Sequence, residues 1–310
     1  MLISILLIVG GITLLYFGGE VLVDNAKRIA LHFGMSPMAI GLTVVAFATS
    51  APELAAALTA NLRGAPDLAV GNAIGSNIAN VGLILGATAL FYVLPATPRF
   101  LRREMAFMLV VTVLMYPIML TGRIIGRIEG AVLFATLVYF LYTLLRDPDH
   151  QHVYEDTEIS DGPLWKAALG VTFGVGLLVG GAYILVEGAT DIALTLGVPE
   201  RVIGLTMVAL GTSLPELAAS LAAGRKGEVD MVMGNIVGSN IFNLLCILGL
   251  TAVVSPIPVA AQIVSLDFWV MFGTSALLLV FLGLSRRLDR GEGLILLAIY
   301  VGYSIWLYVG

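Results

Sequence analysis

The sequence predicts an all-α integral membrane protein of ten transmembrane helices, arranged as two inverted-topology five-helix repeats. Three observations lead there: a composition too apolar for a soluble chain, ten apolar segments separated by loops of alternating basicity, and a long internal repeat at constant offset. Hydrophobic residues make up 59% of the 310 residues and charged residues 12%, where a soluble domain carries about 25% charged residues. Mean hydropathy is +0.99.

A bilayer-spanning helix needs about 20 mostly apolar residues. Segments that meet this lie at roughly 2–23, 37–62, 67–93, 104–121, 128–145, 164–186, 200–223, 230–254, 266–284 and 292–309. The first has no basic stretch before it, so it reads as a retained span and not as a cleaved signal peptide. Cations should concentrate in cytoplasmic loops. One set of alternate loops holds Lys27, Arg28, Arg99, Arg102, Arg103, Arg146, Lys166, Arg225, Lys226, Arg286, Arg287 and Arg290, and the other holds Arg63, Arg123, Arg127 and Arg201. That ratio, 12 to 4, puts the richer set inside and both termini outside a cell (inner) membrane. The net charge of −5 and the 16 dispersed Lys and Arg residues give no nucleic-acid-binding surface. A single cysteine, Cys246, excludes an intrachain disulfide.

The repeat runs at an offset of 163 from about residue 18 to about residue 95. TVVAFATSAPEL from Thr43 returns as TMVALGTSLPEL from Thr206, and GNAIGSNIAN from Gly71 returns as GNIVGSNIFN from Gly234. Each repeat holds five spans, an odd number, so the second enters the membrane from the opposite side, an architecture common among secondary transporters. The expected organisation is a first repeat over 1–145 with its motif at 41–80, an acidic cytoplasmic linker over 146–163, and a second repeat over 164–310 with its motif at 204–243.

Glu53 and Glu216 fall near the middle of the second and seventh spans and are partners at the offset. A carboxylate at membrane depth costs at least about 2.5 kcal/mol, so it marks a functional site by default. Two at matched positions are harder to explain as helix-packing devices than one. Thr49-Ser50 and Thr212-Ser213 precede them by one helical turn and share their face. Pro52 and Pro215 each remove a backbone donor. Carbonyls near Ala48 and Gly211 are thereby freed, and near Ala46 and Ala209 if the helix unwinds slightly. In the third and eighth spans, Asn72, Ser76 and Asn80, and Asn235, Ser239 and Asn243, recur every four residues as polar stripes. Gly71, Gly75, Gly234 and Gly238 suit close helix approach. Carboxylate, hydroxyl, amide and carbonyl are hard oxygen donors, suited to calcium, sodium, magnesium or manganese and unsuited to copper or zinc. Two carboxylates balance one divalent ion or several monovalent ions. The two loads compete for the same oxygens, which is a physical basis for antiport, and protons are a further candidate competitor.

The paired sequences Ala48-Thr49-Ser50-Ala51-Pro52-Glu53 and Gly211-Thr212-Ser213-Leu214-Pro215-Glu216, each followed by G-N-x-x-G-S-N-x-x-N, resemble the α-repeats of the calcium/cation antiporter superfamily, in particular its prokaryotic sodium/calcium exchangers. The resemblance spans essentially the whole chain. It implies ten helices with midplane ion sites built from helices two, three, seven and eight, and exchange of calcium for sodium, or in some branches protons, by alternating access. Carried over by motif position, it implies ligands at Ala46, Thr49, Ser50, Glu53, Ser76 and Asn80, and at Ala209, Thr212, Ser213, Glu216, Ser239 and Asn243. Ala46 and Ala209 would act through backbone carbonyls, and Asn80 and Asn243 would be secondary polar groups. Ala48 stands where glycine usually precedes the hydroxyls, and Ala51 replaces a larger apolar residue. Asn243 stands where several members carry aspartate, which in the family accompanies potassium dependence, so a potassium-independent exchanger is implied.

The expectation is therefore a non-enzymatic antiporter. Its partners are the transported cations and the lipid bilayer, with no cofactor and no obligate protein partner. A cation channel with the same ligands is the competing class, but channels more often arrange identical subunits around a pore. An intramembrane hydrolase lacks a membrane-depth histidine or nucleophile–base pair. His150 and His152, in the acidic linker, read as part of a solvated loop, and Glu20, Asp24 and Glu187 as solvated interfacial residues.

Overall fold

The computed structural model describes residues 1–148, 163–197 and 200–309, and of 200–210, 308 and 309 the backbone alone. It is helical throughout except for two-residue bridges between loops. In chain order the helices are α1 (Leu2–Phe33), α2 (Pro37–Leu62), α3 (Pro66–Phe91), α4 (Pro98–Leu120), α5 (Arg127–Leu145), α6 (Leu164–Thr195), α7 (Glu200–Arg225), α8 (Val229–Val254), α9 (Ile263–Ser285) and α10 (Arg290–Val309). Among the described residues, eight of these, all but α7 and α10, are long and apolar enough to cross a membrane. His150, His152 and most of the acidic linker lie outside the described residues.

The helix starts follow local chemistry. Proline opens α2, α3 and α4, where its missing amide costs nothing. Ser36 and Thr97 cap α2 and α4, their hydroxyls accepting from Ala39 N at 3.0 Å and Phe100 N at 3.1 Å. Two helices outrun the sequence expectation. α1 continues past 23 to Phe33, stopping at Gly34 in the left-handed conformation (φ 63°), and α6 continues past 186 to Thr195. The polar residues that seemed to end α1 are instead held by ion pairs. Glu20 meets Arg225 at 2.5 Å and Lys226 at 3.0 Å, Asp24 meets Lys226 at 2.5 Å, and Lys27 meets Glu228 at 2.6 Å. Glu20 and Asp24 are thus network members, not merely solvated, whereas Glu187 is exposed. Burial alone would pull the Lys226 ammonium down, but Asp24 and Glu20 outweigh it and hold it above the usual lysine range.

α8 is almost wholly buried and forms the centre, while α1 and α6 show most of their surface outwards. α1 and α6 cross at backbone distance. A Cβ on Gly11 would lie 2.7 Å from Gly181 O, and one on Gly181 would lie 2.9 Å from Gly11 O. α2 and α8 approach in the same way, with a Cβ on Gly41 falling 2.6 Å from Met231 O and one on Gly234 falling 2.4 Å from Met38 O. Gly71 and Gly75 differ from the expectation drawn for them: among the described residues, a Cβ at either meets nothing within 4 Å.

Loop pairings fix which helix ends are neighbours. Leu94–Pro95, after α3, pairs antiparallel with Arg287–Leu288, after α9, and Ile124–Ile125, after α4, pairs with Ile257–Pro258, after α8. Asp147, after α5, is ion-paired with Arg99 and Arg103 at the start of α4. Each contact joins loops that the cation count assigns to one side of the membrane.

Candidate ion-binding site

The helices carrying the motifs are not unwound at their prolines. Pro52 and Pro215 sit inside continuous helix, so the expected local unwinding near Ala46 and Ala209 is absent from the described backbone. Backbone irregularity takes another form. α2 contains a π-helical turn at Gly41–Val45, α3 one at Asn80–Leu85 and α8 one at Asn243–Ile247. The last two begin on equivalent asparagines. A π turn adds a residue to one turn and re-aims the side chains around it, and such turns are frequent at functional sites.

The two carboxyls come together. Glu53 and Glu216, one from each half, are close enough to interact electrostatically, and each is only 1% exposed. Ser50 Oγ donates to Glu216 Oε1 across the halves at 3.4 Å. The threonines also cross: Thr49 Oγ1 donates to Asn235 Oδ1 and Thr212 Oγ1 to Asn72 Oδ1, each at 3.4 Å. These two contacts are equivalent under the 163 offset. The single Thr49 hydroxyl proton has Val45 O at 3.1 Å and Ala46 O at 3.4 Å as alternative acceptors to Asn235 Oδ1, so the Ala46 carbonyl lies beside this hydroxyl. Asn235 Nδ2 donates to Ser220 Oγ at 3.2 Å, whereas the equivalent of Ser220 in the first half is Ala57 and Asn72 Nδ2 is left without a protein acceptor.

Ser76, Asn80, Ser213, Ser239 and Asn243 are all buried. No hydrogen bond joins Ser76, Ser213 or Ser239 directly to the carboxyls among the described residues. Ala209 is helical, but its side chain lies outside the described residues.

The unsatisfied atoms are concentrated here. Glu53 Oε2, Glu216 Oε2, Asn80 Oδ1, Asn243 Oδ1, Ser213 Oγ and Ser239 Oγ are buried with no hydrogen-bond partner among the described residues. Leaving one such group unmade costs about 1–3 kcal/mol, and orphaned buried groups in native proteins call for an explanation. Four of these six atoms, the carboxylate and amide oxygens, are acceptors only and cannot satisfy one another unless a proton or a cation lies between them. A hard cation satisfies oxygens of all three kinds at once. Among the described residues, no three His, Cys, Asp or Glu side chains gather as a metal cluster, consistent with a site of two carboxylates completed by hydroxyl, amide and carbonyl oxygens. Asn77 and Asn240, absent from the expected ligand set, form the contacts between the polar stripes of α3 and α8. Their recurrence at the offset of 163, inside the G-N-x-x-G-S-N-x-x-N motif, is the signal that could have singled them out.

The sequence profile of the family described as "Sodium/calcium exchanger protein" matches the chain twice, over residues 3–146 and 166–309. The chain is 39% identical over 318 residues to CaxA of Alkalimonas amylolytica, covering 99% of both. It is 31% identical over 345 residues to the sodium/calcium exchanger MaX1 of Methanosarcina acetivorans, again covering 99% of both. Its fold matches a solved structure of the sodium-calcium exchanger NCX_Mj, soaked with Na+ and Ca2+, with a TM-score of 0.82 and 31% identity over 96% of each chain. The chain is therefore a multi-pass membrane protein of the sodium/calcium exchanger family.

Proposed function

We propose that this protein is a secondary antiporter that exchanges calcium for sodium by alternating access. The observation that carries the reading is the meeting of Glu53 and Glu216, one from each half, in a buried site with uncompensated oxygens. Two neighbouring carboxylates in a low-dielectric interior require a compensating positive charge. One calcium ion supplies it, or sodium ions sharing the same oxygens do, so each load displaces the other.

The ligand set in this reading is the one expected from the motifs: Glu53 and Glu216 as shared carboxylates, Thr49, Ser50, Thr212, Ser213, Ser76 and Ser239 as hydroxyls, Ala46 and Ala209 through carbonyls, and Asn80 and Asn243 as amides. The cations are substrates, and no resident cofactor enters. α7 and α10 complete ten spans. The two halves, 1–145 and 164–310, are related as an inverted repeat, with 146–163 as a cytoplasmic linker. The equivalent threonine contacts, the paired loop bridges and the double profile match support that relation. The cation-rich loops place both termini outside the inner membrane.

Alternating access follows from an asymmetry between equivalent positions. Gly41 and Gly234 hold α2 and α8 in backbone contact at the end beside the basic loops, while Gly71, the counterpart of Gly234, meets no neighbour within 4 Å among the described residues. In this reading the cytoplasmic end is closed, and exchanging the two arrangements opens it.

The test is flux. The protein is reconstituted in sodium-loaded liposomes and diluted into sodium-free buffer with radioactive calcium, with a parallel series carrying a pH gradient in place of sodium. Uptake should require internal sodium and vanish in Glu53→Gln. Uptake driven only by the pH gradient would reassign the driver to protons. Flux that needs neither gradient would replace the antiporter by a channel.

A further inference from the structure

An asparagine can offer a cation its oxygen or present its nitrogen, and only the oxygen is a ligand. The chain of amides between α3 and α8 decides this for both asparagines of the proposed site. The Asn240 backbone carbonyl can only accept, and the Asn77 amide reaches it at 3.3 Å, with Met271 Sδ at 3.6 Å as a second acceptor. Asn77 Nδ2 is thereby committed, and Asn77 Oδ1 faces the other way. There it accepts from Asn243 Nδ2 at 2.9 Å. With its nitrogen engaged, Asn243 is left with Oδ1 buried and free of any protein donor.

The second arm has the same order of amides but is anchored by a thioether in place of a backbone carbonyl. Asn240 Nδ2 reaches Met108 Sδ at 3.6 Å, and Asn240 Oδ1 accepts from Asn80 Nδ2 at 3.0 Å. Asn80 Oδ1 is again buried without a donor. Asn77 and Asn240, Asn80 and Asn243, and Met108 and Met271 are all partners at the offset of 163. Turning Asn243 over would set its oxygen against Asn77 Oδ1, two acceptors with no proton between them.

We infer that Asn77 and Asn240 are positioning residues that lock Asn243 and Asn80 with their carbonyl oxygens free for the transported cation. They bind no ion themselves. They set the donor count of the site, and each acts on the asparagine carried by the opposite half. The inference rests on the reading of Asn80 and Asn243 as ligands.

The experiment is a mutant cycle on the reconstituted protein. It compares wild type, Asn243→Ala, Asn77→Ala and the double variant by apparent calcium affinity and maximal rate of sodium-driven uptake, with melting of the detergent-solubilised protein as a check of folding. Loss of a group that orients a metal ligand typically weakens affinity about 10–100-fold. Each single variant should lose affinity in that range with the maximal rate less affected, and the double variant should be no weaker than Asn243→Ala alone. Losses that add in the double variant would show that Asn77 does not act through Asn243 and would overturn the inference. So would unchanged affinity in Asn77→Ala beside a weakened Asn243→Ala. Unchanged affinity in Asn243→Ala would instead overturn the ligand reading beneath it. Should Asn77→Ala fail to fold, Asn77→Leu, which keeps the volume and removes both donor and acceptor, replaces it under the same outcomes.

Discussion

Adding a single methyl group at Gly234 would place a Cβ 2.4 Å from Met38 O and 3.0 Å from Leu42 N, both backbone atoms of α2. Ordinary contact begins near 3.4 Å, so α2 and α8 must separate by roughly 1 Å, and neither neighbour is a flexible side-chain end. Overpacking of this kind costs about 1–3 kcal/mol. The better helix propensity of alanine, worth up to about 1 kcal/mol, is shared by both conformers, so the penalty on the conformer with this end closed stays at about 1–3 kcal/mol. That corresponds to roughly a 5–150-fold loss in its population. If the contact re-forms in every transport cycle, Gly234→Ala should slow sodium-driven calcium uptake by about tenfold and lower the melting temperature of the purified protein. Gly71→Ala is the matched control, because its methyl meets nothing within 4 Å among the described residues. It should leave stability undiminished yet also slow exchange, since its counterpart contact forms only in the opposite conformer. Wild-type stability and rate in Gly234→Ala would refute the reasoning that α2–α8 contact closes one end.

Three further outcomes are expected. Thr49→Val removes the hydroxyl that faces Asn235 and Ala46 O, and should weaken apparent calcium affinity in uptake assays by about tenfold, roughly one charge-assisted hydrogen bond. Asp147→Asn leaves the Arg99 and Arg103 guanidiniums close together around a side chain only 6% exposed. It should lower thermal stability by an amount approaching the 3–5 kcal/mol typical of a broken buried pair, less the screening of the half-exposed Arg103, while calcium affinity stays unchanged. Lys226→Gln removes the cation shared by Glu20 and Asp24, and its modest destabilisation should shrink as salt is raised from 0.1 M to 1 M, because the network is partly exposed.

The sequence by itself determined the class of the protein and its chemistry. Apolar segment length is dictated by bilayer thickness, so composition reveals the helices before any contact is known. The offset of 163 paired Glu53 with Glu216 and Thr49 with Thr212, and a carboxylate at membrane depth is costly enough to announce itself. The extents of α1 and α6 were misread because polarity in a helix ends a span on a hydropathy scale but does not end the helix. Glu20 and Asp24 are stabilised by partners on α7 and beyond it that no local window contains. The glycines divided likewise. Gly71 and Gly234 are equivalent in sequence, yet among the described residues one meets no neighbour within 4 Å and the other touches α2, a difference that depends on what lies across each helix. Tertiary structure alone decided the π turns at Asn80 and Asn243 and the amide chain through Asn77 and Asn240. Which end of an asparagine is committed depends on what lies across the helix interface, a relation between residues some 160 positions apart that local sequence cannot encode.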